Sequence, residues 1–191
     1  MIRVPLAWCV IVLTLAGAAY WLLAVGRPLL CPCGEVRLWV GGLSSAESSQ
    51  QLADWLTPRH LLHGLLIYWA LSLFKRVKFS WRLAFAILFA SVWEIAENSA
   101  FYFEHYMAVH LRPEQQGDSV INALSDILVV AIGFWLAARL PVKASIALFV
   151  GIELLTLWVI HDGLTVRVLM ALYPLEVVRD WQAAGWAATG R

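Results

Sequence analysis

Charge is what this chain has least of. Only 14% of its 191 residues are Asp, Glu, Lys or Arg, against about a quarter in an ordinary soluble domain, and the formal net charge is +1. Without a basic field there is nothing to draw in a polyanion, so a nucleic-acid binder is excluded. Polar surface is missing as well: 61% of the residues are hydrophobic and the mean hydropathy is +0.73. A soluble chain this short has too little core volume for so many apolar side chains, which excludes an ordinary cytoplasmic enzyme and a disordered chain. No soluble domain, low-complexity stretch or internal repeat interrupts the pattern, so residues 1–191 read as one polytopic domain. What is abundant is tryptophan, eleven in all, a residue that favours the headgroup layer of a bilayer. The composition is that of an integral membrane protein.

A helix crosses the roughly 30 Å hydrocarbon core with about 20 apolar residues. The sequence predicts an all-α bundle of five transmembrane spans, at about Pro5–Val25, His60–Phe74, Leu83–Phe103, Ser119–Ala138 and Val142–Ile160. The second run is short and is expected to start in the preceding Trp55–Arg59 turn or to sit in a thinned bilayer. The first is read as a retained signal anchor rather than a cleaved peptide, because its apolar run is long and no small-x-small site follows. Residues 26–59 and 104–117 are expected as two external loops and 162–191 as an external tail. The tail's apolar residues on either side of Pro174 (Leu164, Val168, Leu169 and Leu172 before it, Leu175, Val178, Trp181 and Trp186 after it) suit one or two short interfacial helices.

Acids are absent from one set of loops, and that absence gives direction. Lys75, Arg76, Lys78 and Arg82 fill the turn between spans two and three, Arg139 and Lys143 flank the next turn on that side, and Arg3 precedes span one, with no Asp or Glu among them. Positive loops stay in the cytoplasm. The expected N-terminus is therefore cytoplasmic and the C-terminus, after five spans, periplasmic.

The acids lie instead outside or within the outer half of the membrane. A charge at the bilayer centre costs about 2.5–3.5 kcal/mol on insertion scales, so several together need a reason. Glu94, Glu97, Asn98 and Phe101 follow i, i+3, i+4, i+7 and share one helix face. Asp118, Asn122 and Asp126 recur every four residues, Glu153 stands alone in span five, and His60 and His63 open span two one turn apart. At 1.5 Å per residue, Glu94 and Asp126 both fall about 12 Å below the outer surface, with Glu153 near mid-membrane. The spacing thus predicts one outward-facing pocket. Glu97, Asp118 and Asp126 are its candidate catalytic acids and bases, and Glu94, Asn98, Asn122 and Glu153 its candidate substrate contacts. His60 and His63 are candidate ligands for a divalent metal, Zn²⁺ or Mn²⁺. Carboxylates crowded in a low dielectric must be protonated, paired or bound to a cation, and interhelical hydrogen bonding is the alternative use of Asn98, Ser99 and Ser125. Outside, Cys31-Pro32-Cys33 can form a disulfide, bind metal or pair between chains, which leaves Cys9 as a small apolar filler in span one.

These features come together in an ordered set of motifs: Cys31-Pro-Cys-Gly34, Trp39, Ser48-Ser-Gln50, Asp54-Trp-Leu-Thr-Pro58, His60-Leu-Leu-His63-Gly64, Trp93-Glu-Ile-Ala-Glu-Asn-Ser99, Gly117-Asp-Ser-Val-Ile-Asn122 and Trp181-Gln182. The set resembles uncharacterised protein family 0314, also called domain of unknown function 2585, a group of bacterial multi-pass inner-membrane proteins. The resemblance covers most of the chain from Cys31 onward and implies a cell inner-membrane location without an activity. The chain departs from the family pattern at His161-Asp162-Gly163, where Arg-Asp-Asn is expected, at Ala100 in place of Pro, and at Pro32 in place of Lys. Asp118, Asn122 and Gly133 also resemble one helix of VanZ-like membrane proteins.

Two functions follow as expectations. One is an envelope-facing hydrolase or transferase acting on a lipid or lipid-linked substrate, with or without a divalent metal. The other is a non-enzymatic module that binds a lipid, an ion or a partner protein. A homo-oligomer is compatible with both.

Overall fold

The computed structural model describes residues 5–42, 45–102 and 117–189, with side chains described as far as residue 185. Among these residues the chain is all helical: α1 (Leu6–Ala24), α2 (Thr57–Ser72), α3 (Phe79–Glu97), a single turn α4 (Ala100–Tyr102), α5 (Val120–Arg139), α6 (Val142–Ile160), α7 (Leu164–Leu172) and α8 (Glu176–Thr189).

Local sequence sets the helix ends. Pro5 and Pro141 stand just before α1 and α6, where a fixed φ and a missing N–H cost nothing. Gly26, at φ 85°, closes α1. Its N–H bonds the Leu23 carbonyl at 3.0 Å and that of Arg27 bonds Leu22 at 2.9 Å, the two bonds of a Schellman stop. Ser119 caps α5, its hydroxyl accepting from the Asn122 N–H at 3.2 Å, and α5 ends at Arg139 because Leu140 precedes a proline.

Four helices, α1, α3, α5 and α6, are long and apolar enough to cross a membrane. Their packing is inside-out relative to a soluble protein. Val12, Leu13 and Tyr20 on α1, Phe85, Phe89 and Val92 on α3, and Val142, Leu154 and Trp158 on α6 face outward. The interior instead holds small, aliphatic and polar residues such as Ala84, Ala86, Ala90, Ala123 and Ser91. Such a face would aggregate in water and is at home in hydrocarbon. The chain is a membrane protein.

Helix α2, at 16 residues, spans only about 24 Å and falls below that length. It starts at Thr57, inside the Trp55–Arg59 turn where an early start is expected, and α3 stops at Glu97 rather than running on to Phe103. Phe103 and residues 104–116 of the expected second external loop lie outside the described residues.

Helix α5 is the central post. α2 lies along it in the same direction, in so close a crossing that a Cβ on Gly64 would stand 2.1 Å from the Val130 carbonyl oxygen, and one on Gly133 would stand 2.2 Å from the Leu61 oxygen. α1 packs on α3, and together they bury Ile11, Ala18, Ala84, Ile87, Ala90, Ile127 and Val130 around α5. α6 covers the other side of α2, where Leu62, Leu65 and Ala137 meet Leu148, Phe149 and Ile152.

At the end where α2 and α5 begin, the segment 25–56 is stitched onto the helices. The Pro28 and Leu29 carbonyls accept from the Val120 and Ile121 N–H groups, two donors that α5 itself leaves unpaired. Asn122 donates to the Gln51 carbonyl at 2.7 Å, and Cys31 and Cys33 are joined by a disulfide beside Gln51. The expected tail helices are present as α7 and α8, broken at Pro174, with α8 packed on α6.

Candidate functional site

Three helices bring ionisable groups together where α2 and α5 start and α3 ends. His60 and Gly64 are one turn apart and share the face of α2 that presses on α5, whose Asp126, Val130 and Gly133 line up opposite at i, i+4, i+7. The tight glycine crossing therefore seats His60 against Asp126. α3 arrives from the other side with Glu94. The imidazole is buried between the two acids, Nδ1 lying 3.3 Å from Glu94 Oε1 and Nε2 lying 3.6 Å from Asp126 Oδ2.

Neither contact has hydrogen-bond geometry. Among the described residues Glu94 Oε1 and Asp126 Oδ1 accept no hydrogen bond at all. A neutral imidazole carries one N–H, so it can satisfy one carboxylate and must turn a bare lone pair on the other. A proton or a cation is needed to balance the set. The ligand atoms of His60, Glu94 and Glu97 all lie within 4.8 Å of one another. Two ligands on one Zn²⁺ at about 2.0–2.2 Å each stand at most about 4.4 Å apart, so the three are close to the span that one ion bridges.

Around this centre the remaining residues have definite partners. Glu97 pairs with Arg59 at 3.2 Å and accepts from the Tyr102 hydroxyl at 3.3 Å. Asn98 and Asp118 bond reciprocally: the Asn98 amide donates to Asp118 Oδ2 at 2.6 Å, and the Asp118 N–H donates to Asn98 Oδ1 at 2.9 Å. Burial and the nearby Glu97 charge push the Asp118 carboxyl up to about 6, against the opposing pull of its Asn98 hydrogen bond. His63 is half-buried, edge-on to His60 and to Trp93 at 5.7 and 5.5 Å between ring centres.

Of the residues singled out in the sequence, His60, Glu94, Glu97 and Asp126 come together, with Asn98 and Asp118 just beyond them. Asn122 and Glu153 are engaged in joining segments. Asn122 fastens the segment between α1 and α2 to α5 through Gln51. Glu153 accepts from the Leu164 N–H at 3.0 Å, the Thr165 N–H at 2.8 Å and the Thr165 hydroxyl, and so caps α7. His63 stands outside the group of possible metal ligands among the described residues.

Sequence reasoning passed over three buried groups. Arg59 finds its partner, Glu97, 38 residues away. Asp54 accepts from Ser48, Ser49 and Leu56 and organises the entry to α2. Asp162 holds Arg167 through a two-pronged contact and also accepts from Gly163 and Gln182. The Asp-x-x-Thr spacing before α2, in which the Asp54 N–H returns to Thr57, was the one local signal available for any of them.

Residues 22–184 match the family described as Protein of unknown function (DUF2585). The chain belongs to that family. It is 55% identical over 173 residues to a UPF0314 protein of Paracoccus denitrificans, with 90% of each chain covered. It is 46% identical to one from Novosphingobium aromaticivorans, with 86% of each covered. A third, from Agrobacterium fabrum, is 41% identical over 85% of this chain and 83% of the relative. No solved structure matches this DUF2585 protein. The matched span runs from the end of α1 into α8, so it includes the whole polar centre and both segments that frame it.

Proposed function

We propose that this DUF2585 protein is a membrane-embedded hydrolase or transferase that acts on a lipid or lipid-linked envelope substrate from the outer face of the inner membrane. The reading includes α2 as a fifth crossing, in a locally thinned bilayer. The observation that carries it is His60 held between Glu94 and Asp126, with both carboxylates keeping an oxygen that accepts no hydrogen bond. Helix-to-helix glue would satisfy those oxygens, because an unpaired buried acceptor costs about 1–3 kcal/mol. Left open, they are available to a cation, a proton or a reacting group.

His60, Glu94 and Glu97 are the ligands we assign to a divalent ion, Zn²⁺ or Mn²⁺, which would lower the pKa of a bound water toward neutrality. Asp126, on the far side of His60, orients the imidazole and takes up or returns its proton. Asp118, tethered by Asn98, is the second acid–base group at the outer rim. Arg59 holds Glu97 in place and offsets its charge.

The test is metal analysis of the full chain purified in lipid nanodiscs. Wild type is expected to carry stoichiometric Zn or Mn, His60→Ala to lose it, and His63→Ala to keep it. Equally empty wild type and His60→Ala samples, after incubation with either ion, would overturn the metal assignment. An ion bound without turnover of any added phospholipid or lipid-linked substrate would favour an ion-binding module instead.

A further inference from the structure

We propose that Cys31–Cys33 is a thiol–disulfide exchange site that accepts two electrons from a dithiol, an activity separate from the His60 centre. The span of the bridge argues against a structural staple. A disulfide stabilises a fold chiefly by closing a loop in the unfolded chain, and the gain grows with loop length. This one encloses a single residue, Pro32, and joins no second segment. The turn that carries it is already closed by the Gly34 N–H, which bonds the Cys31 carbonyl at 3.1 Å with Gly34 at φ 81°. The bridge therefore adds little to the fold. The turn, with 5.1 Å between the two α-carbons, keeps the sulfurs within reach of each other when the bond is broken.

The two cysteines have different surroundings. Cys31 is 6% exposed, whereas Cys33 is on the surface, so an incoming thiolate meets Cys33 first. Attack there leaves the electron pair of the broken bond on Cys31 Sγ, which already accepts the Cys33 N–H at 3.2 Å. A hydrogen bond to the charged form favours it, and a stabilised leaving thiolate departs faster. Behind Cys33 stands the buried Gln51, whose Nε2 lies 3.2 Å from Cys33 Sγ. The Arg37 N–H holds Gln51 Oε1 at 2.7 Å and Asn122 holds its backbone carbonyl, which fixes the amide on the second sulfur. Glu47 is close by, with a carboxylate oxygen within 4.8 Å of both sulfurs. Arg37 pairs with it at 3.1 Å and offsets its charge, so a thiolate can form beside it.

Atoms and electrons balance between the two partners. A thiolate of the dithiol attacks Cys33 Sγ, a mixed disulfide forms, and the Cys31–Cys33 bond breaks with its electron pair going to Cys31. The dithiol's second thiolate then attacks the partner sulfur bonded to Cys33, which leaves as a thiolate in front of the Gln51 amide. The dithiol ends as a disulfide, oxidised by two electrons, and its two protons pass to Cys31 and Cys33. The same route in reverse passes those electrons on to another disulfide.

The experiment uses the full chain carrying Cys9→Ser in lipid nanodiscs, so that every thiol that appears comes from the pair. The probes are dithiothreitol and a reduced peptide with two cysteines. The protein is expected to gain two alkylatable thiols for each dithiol converted to disulfide, roughly tenfold faster than oxidised glutathione does at the same concentration. Faster reaction with the peptide would support a protein dithiol as the source of electrons, and faster reaction with dithiothreitol a small one. Adding Cys31→Ser is expected to trap the oxidised peptide as a lasting mixed disulfide on Cys33, and adding Cys33→Ser to trap it roughly tenfold more slowly. The variant with both serines is expected to keep the unfolding midpoint and metal content of its parent, so this proposal and the metal assignment can fail separately. Exchange no faster than that of oxidised glutathione, equal trapping at the two cysteines, or a lowered midpoint without the bridge would overturn the proposal.

Discussion

At the scale of single residues, the acids of this protein divide by what they accept. Asp54, Glu153 and Asp162 each take three or more hydrogen bonds and act as joints between segments. Glu94 and Asp126 keep oxygens unpaired and flank an imidazole. Asp118 lies between these classes, bonded to Asn98 yet pushed up from an ordinary 3.8 to about 6 by burial and by Glu97. The sign of its effect on stability follows. Below about pH 4 it is neutral whether the chain is folded or not. Between there and about 6 it ionises on unfolding while remaining protonated in the fold, so folding is progressively disfavoured as pH rises through that window, and the loss levels off above it. Thermal unfolding in detergent is therefore expected to show a decline in midpoint from pH 4 to 6 that is reduced in Asp118→Asn. A window unchanged in that variant would assign the dependence to another group.

At the scale of helices, the decisive contact is the α2–α5 crossing. Gly64→Ala and Gly133→Ala each drive a methyl into backbone of the facing helix, which no rotamer change relieves. Each is expected to destabilise by about 1–3 kcal/mol and to shift His60 relative to Asp126. Denaturant titration and metal content should fall together, whereas Gly17→Ala, with open space around its α-carbon, should alter neither.

This crossing also explains how much could be read in advance. The four long apolar helices, the i, i+3, i+4 acids of α3 and the four-residue repeat of α5 were legible because period and hydropathy are local properties. The meeting of His60 with acids from two other helices was an expectation from depth alone, since sequence does not say which helix faces meet. The choice of His60 over His63 was not legible, since it depends on which way α2 is rotated. The clue lay in Gly64, one turn after His60, and Gly133, two turns after Asp126. Glu153 was placed in the pocket on depth alone. Its partners are backbone N–H groups of a helix that begins eleven residues later, beyond a left-handed His161 that turns the chain back. Depth fixes height in a membrane but not azimuth around the bundle, and residues at one height can face different neighbours.

At the scale of the whole molecule, polarity is sorted along one axis. Lys75, Arg76, Lys78, Arg139 and Lys143 sit at one end of the bundle. The His60 centre, the disulfide and the tail helices sit at the other. In the orientation we propose, which follows the positive-inside rule, the first end faces the cytoplasm. In a Cys9→Ser background, a cysteine introduced at Lys78 is expected to react with a membrane-impermeant maleimide only after the cells are opened. One introduced at Glu176 should react in cells whose outer membrane alone is permeabilised. The reverse pattern would invert the proposed facing of the site. Among the described residues the same sorting leaves the outward-facing belt free of charge between the two ends, as Val12, Phe89, Val150 and Leu154 illustrate.

The shortness of α2 has a consequence for how the protein is made. This helix carries Arg59, His60 and His63 in its first two turns, meeting Glu97, Glu94 and Trp93 of α3 and Asp126 of α5, and presses its glycine face on α5. A nascent segment of that length and polarity gains little from lipid by itself. Its partner begins at Val120, after α3 and the turn beyond it have been synthesised. On the proposed five-crossing reading, α2 is expected to insert stably only once α5 is present to receive it. That reading makes membrane insertion of α2 and assembly of the polar centre a single late event, and a chain truncated before α5 is expected to fail to integrate its second helix.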